Sequence, residues 1–166
     1  CVAYKLFSLK NIKIKNIVIE EANFNLNKSN YSFFIKLLNN NFKDIKFEIL
    51  DSKIFYRNLE NEVLFINNIT NAKYIYDLNE SKNILYSKNY IFNLPYSIEL
   101  SSNEDQKKLN SKIEIENLDL QIENQFFYGK KFNTGLSEFN FLNLKSAAQY
   151  KANKNYFEFK LFDKAQ

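Results

Sequence analysis

Apolar and polar positions alternate with period two along most of this chain. From Tyr90 to Leu100 every even position is large and apolar or aromatic, and the odd ones are mostly Asn93, Pro95, Ser97 and Glu99. The same alternation runs through Ile45–Ile49, Tyr74–Leu78, Leu118–Ile122 and Phe157–Leu161. Successive side chains of a strand point to opposite faces, so each segment predicts a strand with one apolar and one wet face.

Residues 11–26 read as one long strand or two, carrying Ile12, Ile14, Ile17, Ile19, Phe24 and Leu26. The phase changes after Ile14, which predicts a bulge or turn at Lys15 and Asn16. Phe33, Phe34, Leu37 and Leu38 then fall at helical spacing behind Ser29 or Asn30, either of which can cap. They predict a short amphipathic helix near residues 30–40. Beyond Phe42 the pattern is strand throughout. Ile45–Leu50 leads through Asp51, Ser52 and Lys53 into Ile54–Tyr56, and a link bracketed by Asn67 and Asn71 joins Val63–Ile66 to Lys73–Leu78. After Ile84–Tyr86 comes one long strand over 90–100, then an exposed loop over 101–110. Strands follow near 111–117, 118–124, 137–144, 146–152 and 155–162. The stretch 126–135 holds both glycines and predicts a turn, its aromatics extending the strand before it.

Turn signals at intervals of roughly 8–12 residues are the rhythm of an antiparallel meander. Asn is the principal turn residue here, since it tolerates left-handed backbone angles. Pro95 on the polar phase argues for an edge strand or a bulge. No linker interrupts the chain, so residues 1–166 read as a single β-rich domain or a segment of a longer β-groove protein. About ten strands make a sheet roughly 45–50 Å across, which twists, coils or closes rather than staying flat. The fold class expected is mainly β: an antiparallel meander forming a curved, groove-like sheet with one short helix.

Composition narrows the function. With 17 Phe and 11 Tyr among 166 residues the chain has ample material for half-buried strands, which argues against disorder. Asn, Lys, Ile and Phe are all heavy, a bias that AT-rich codons produce, so the Asn-rich stretches do not read as prion-like. Met is absent, which implies a processed protein or an excerpt. Cys1 is the sole cysteine, excluding an intrachain disulfide and any cysteine-clustered metal site. It reads either as the lipidated residue of a mature lipoprotein or as the last turn of a membrane helix cut away upstream. The net charge of +4 is carried by dispersed lysines, with Arg57 the single arginine. That is the pattern of a solvated sheet face and not of a nucleic-acid footprint, which clusters basic groups and favours Arg.

Catalytic chemistry is scarce. The chain has no His, which removes the commonest general base and many metal sites. Two glycines, Gly129 and Gly135, cannot build a phosphate loop. Asp51, Glu60, Glu62, Asp77, Glu104 and Asp105 stand near turns, where solvated charges normally sit. The expectation is a non-enzymatic protein without metal or cofactor, whose function is binding.

The run Ile12 to Leu26, the short helix around Ser32–Leu38 and the segment Phe47–Asn58 together resemble the AsmA-like family of bacterial envelope proteins, the AsmA/TamB type. The segments Lys112–Glu123 and Asn155–Phe162 look like further rungs of the same sheet. The resemblance is one of pattern and involves no invariant motif. It implies a periplasmic β-rich body anchored to the inner membrane, by a segment outside this chain or through a lipidated Cys1. It also implies a role in outer-membrane assembly or phospholipid transport along an apolar groove. The ligand would be phospholipid or another acyl-chain molecule, with protein partners unknown and no nucleic acid. Phe47, Ile49, Tyr74, Tyr76, Phe92, Leu94, Tyr96 and Ile98 would line the groove; the alternative for each is ordinary core. The competing reading is a closed β-sandwich or β-barrel adhesion or protein-binding module, with its function in loops 101–110 and 126–135.

Overall fold

A computed structural model describes residues 14–30, 46–103 and 107–163. They form eleven strands: β1 (Asn16–Glu20), β2 (Asn23–Leu26), β3 (Lys46–Arg57), β4 (Val63–Asp77), β5 (Lys82–Ile91), β6 (Leu94–Asn103), β7 (Lys108–Ile115), β8 (Leu120–Phe127), β9 (Asn133–Phe141), β10 (Leu144–Asn153) and β11 (Tyr156–Asp163). A 3-10 turn, Glu116–Leu118, joins β7 to β8. The helix expected near residues 30–40 lies outside the described residues, except for Asn30 in the turn that ends the first segment, and so do Cys1 and Ile12.

All eleven strands belong to one sheet. From β3 to β11 each strand pairs antiparallel with the next, in sequence order. β1 and β2 both lie parallel along the other side of β3, Ile17 beside Phe47 and Phe24 beside Ile54. The sheet is curved and open, so the closed sandwich or barrel is not what the chain adopts.

The register aligns apolar side chains across the whole width. Phe47, Tyr74, Leu85 and Leu100 face one another in turn, and so do Ile98, Ile113, Ile122 and Phe139. The opposite, convex face carries Glu48 and Lys73, paired at 3.6 Å, and the Lys112–Glu114 pair at 2.6 Å. No second layer among the described residues packs on the sheet, and their buried apolar side chains are few: Ile69, Ala72, Tyr74, Ile84 and Ala147.

Bulges, not turns, interrupt the first strands. Asp51 is left-handed (φ 45°) and falls out of the β3–β4 ladder together with Thr70, while Glu21 (φ 53°) breaks the line between β1 and β2. Each bulge resets the side-chain alternation, so Ile49 is followed on its face by Ser52, Ile54 and Tyr56. Asp51–Lys53 and Asn67–Asn71 are therefore interior to strands; β1 begins at Asn16, the site of the expected break, and a further phase shift falls at Glu21. Extra residues bend a strand and increase its twist. Here the register shifts against β5 at Thr70, with Asp51 and then Glu21 abreast of it one for one, so a single irregularity runs across three neighbouring strands and curls this end of the sheet.

The expected long strand over 90–100 is in fact two strands. Phe92 and Asn93 (φ 50° and 62°) form the left-handed pair of a two-residue hairpin between β5 and β6, and Leu142 and Asn143 (φ 47° and 68°) do the same between β9 and β10. The expected loop over 101–110 is mostly the paired ends of β6 and β7. Pro95 sits on an interior strand and not on an edge. It is the second residue of β6, and the ladder to β7 begins only at Ser97, so no partner is opposite its missing N–H.

Candidate apolar groove

Under the curled end of the sheet lies an apolar cavity of about 330 Å³, walled by β2 on one side and β6 on the other. Phe24 and Leu26 come from β2, Phe47, Ile49, Ile54 and Tyr56 from β3, and Ile69, Ala72 and Tyr74 from β4. Leu85 of β5 and Tyr96, Ile98 and Leu100 of β6 complete the apolar lining. Each lies on the concave phase of its strand, which is why one groove gathers residues so far apart in sequence.

Of the residues expected to line a groove, Phe47, Ile49, Tyr74, Tyr96 and Ile98 do so. Tyr76 and Leu94 share the concave phase but sit beyond the cavity, towards opposite ends of the sheet. Phe92 is a correction. It occupies the β5–β6 turn, 81 % exposed, because the hairpin reverses the chain there and takes it off the concave face.

Phe24, Leu26, Ile54 and Tyr56 were legible as apolar alternation, but their membership depended on a bulge register that the sequence did not place. Asn67, Ser87 and Asn89 also line the groove, and nothing in their residue type marks them. They form a polar seam across its floor. The Tyr96 hydroxyl donates to Asn67 Oδ1 at 2.8 Å, and the Ser87 hydroxyl donates to Asn89 Oδ1 at 2.9 Å. Asn67 Nδ2 reaches the same Asn89 oxygen at 3.4 Å, while Asn89 Nδ2 is buried with no hydrogen-bond partner. Burial, and then the neighbouring Tyr56, push the Tyr96 phenol up to about 12, so it remains a neutral donor.

The bulged rim is held by Ser52, 2 % exposed. Its Oγ accepts the Ala22 N–H at 3.0 Å and donates to the Leu50 carbonyl at 2.7 Å. One hydroxyl thus bridges β2 to β3 where the ladder is broken.

The concave face continues beyond the cavity as an aromatic train. Phe126 packs edge-on against Tyr128 (4.8 Å) and stacks with Tyr150 (6.3 Å); Tyr150 stacks with Phe157 (6.4 Å), which adjoins Phe159 (5.9 Å). On β11 this face is open: Phe157, Phe159 and Leu161 are 66 %, 58 % and 65 % exposed.

Among the described residues no His, Cys, Asp and Glu side chains gather as a metal site, and no helix is long and apolar enough to cross a membrane. The arrangement offers apolar surface with a polar seam and no nucleophile set against a base. Comparison with protein-family models, with curated proteins and with solved structures finds no match to this chain.

Proposed function

We propose that this domain is a non-enzymatic lipid-binding element that holds the acyl chain of a phospholipid along the concave face of its sheet. The observation that carries the reading is a continuous apolar face that no second layer among the described residues covers. Its most enclosed part, about 330 Å³, falls within the roughly 300–1,000 Å³ typical of small-molecule sites. The cavity lining is buried or half-buried, and the same face lies open at Phe157, Phe159 and Leu161. Such exposed apolar side chains mark an interaction surface, because leaving them in water costs roughly 25 cal/mol per Å². A periplasmic location, inner-membrane anchoring and a part in outer-membrane assembly, as in the AsmA-like family it resembles, belong to the same proposal.

The test is native mass spectrometry with lipid extraction on gently purified protein. Phospholipid bound at defined stoichiometry, and lost in Ile98→Glu while the far-ultraviolet circular dichroism is retained, is the expected result. A lipid-free protein that also excludes apolar dyes would overturn the reading.

A further inference from the structure

The two ends of the sheet differ in charge. One end is made by the β3–β4, β5–β6, β7–β8 and β9–β10 turns, which carry Glu60, Glu62, Glu116 and Asp119, with Arg57 and Lys145 on the flanking strand ends. The other end, where β4–β5, β6–β7, β8–β9 and β10–β11 turn, carries Asp77, Glu80 and Lys82 at its first turn and, at the others and the strand ends beside them, Lys107, Lys108, Lys130, Lys131, Lys151 and Lys154. Glu104 and Asp105 precede Lys107 in sequence, so the positive excess rests chiefly on the β8–β9 and β10–β11 turns.

Direct contacts knit this rim together. The Tyr128 N–H donates to the Lys107 carbonyl at 2.9 Å, linking the β8–β9 turn to the β6–β7 turn. Lys151 Nζ stands 4.4 Å and Lys131 Nζ 5.7 Å from the centroid of the Phe132 ring, which packs edge-on against Tyr156 at 5.7 Å. Lys108 Nζ lies 5.4 Å from the Phe127 ring. Phe127, Tyr128 and Tyr156 are 41 %, 48 % and 46 % exposed. Through the Phe126–Tyr128 contact the rim is continuous with the aromatic train of the concave face.

We propose that this lysine and aromatic rim docks on an anionic bilayer surface, placing the adjoining mouth of the apolar face against the lipids. Lysines meet the anionic headgroups as mobile point charges, and Tyr128 and Tyr156 seat at the headgroup level, where amphipathic rings are favoured. A bilayer fits better than nucleic acid: the rim has no arginine fork, and its Phe126 and Tyr128 rings lead into an apolar trough instead of a base-stacking groove. The inference rests on the lipid-binding reading for the identity of the cargo. The rim carries the headgroup preference, which is for anionic lipids.

The chain contains no Trp, so Tyr128→Trp supplies a single reporter. With vesicles of phosphatidylcholine mixed with phosphatidylglycerol its emission shifts to the blue and the protein co-sediments; with phosphatidylcholine alone it does neither. Raising the salt weakens the binding. The triple variant Lys130→Gln, Lys131→Gln, Lys154→Gln loses roughly a hundredfold in affinity, at about 1 kcal/mol per surface lysine. A control removing Lys53, Lys73 and Lys160 from the convex face loses far less. Equal loss in both triple variants, binding indifferent to lipid charge, or tighter binding to a single-stranded oligonucleotide than to anionic vesicles would each overturn the proposal. Ile98→Glu separates the two ideas: it abolishes co-purified lipid and leaves vesicle docking intact if both hold. Vesicle docking without any lipid in the wild-type groove sinks only the lipid-binding reading, and groove lipid without docking sinks only this one.

Discussion

The Tyr150 ring lies flat across Gly135 on the neighbouring strand, so close that a Cβ at position 135 would meet its Cζ at 2.0 Å. The same ring donates its hydroxyl to Asn124 Oδ1 at 2.8 Å and stacks on Phe126 and Phe157. A glycine inside a strand costs β-propensity, and here an aromatic from the next strand covers it. Gly135→Ala expels the ring and destabilises the protein by ~1–3 kcal/mol. Urea unfolding of Gly135→Ala, Tyr150→Ala and the double variant checks this. The double variant should cost clearly less than the sum of the two, because the second change removes what the first had displaced.

Phe92 and Leu142 adopt left-handed backbone angles that bulky residues disfavour. Asn and Gly are the residues such hairpin turns select. Phe92→Asn and Leu142→Asn should each stabilise the fold by about 0.5–1 kcal/mol, read as a higher urea midpoint at unchanged slope. Phe92→Asn should also leave bound lipid unchanged, since the ring is outside the groove.

Ser52→Ala removes the acceptor of the Ala22 N–H within the broken part of the ladder. An unsatisfied backbone donor costs ~1–3 kcal/mol. Hydrogen exchange should accelerate first at Ala22 and along β2, with β7–β10 unaffected; uniform acceleration over the whole sheet would refute a local role.

Tyr96 has its folded-state value pushed up to about 12 by burial, followed by Tyr56. The unfolded phenol releases its proton near pH 10. The folded state therefore holds more protons between those values, and stability falls as pH rises from about 10 to about 12. Below pH 10 this contribution is fully present. Tyr96→Phe should flatten that decline relative to wild type. It should also lower stability at neutral pH by ~1 kcal/mol, since Asn67 Oδ1 loses its donor.

Period-two alternation was enough to reveal a meander of antiparallel strands, because the sheet has one apolar face and the register must keep it on one side. It was also enough to select Phe47, Tyr74 and Ile98. It failed where the chain does something that residue type does not encode. Phe92 continues the alternation of Tyr90 and Leu94 perfectly, yet it is the turn. Asn67–Asn71 resembles a turn by composition, yet it is a bulged strand interior whose Asn67 forms part of the groove floor. The parallel seating of β1 and β2 against β3 depends on pairing between residues some 30 positions apart, such as Ala22 with Ser52. Single-strand periodicity carries no information about that.

Among the described residues, substantial backbone proximity between elements is confined to sheet neighbours, apart from the short 3-10 turn beside β6 and β8, while side chains such as Tyr96 to Asn67 and Tyr150 to Asn124 reach one strand further. The described strands thus form a one-dimensional array, its stability close to a sum of strand-to-strand interfaces with no central core that all of these strands share. Such an array melts from its margins inward, β11 before β8. Length becomes an adjustable quantity: excising the β9–β10 hairpin would give a shorter trough, where the same cut through a globular core would give an unfolded chain.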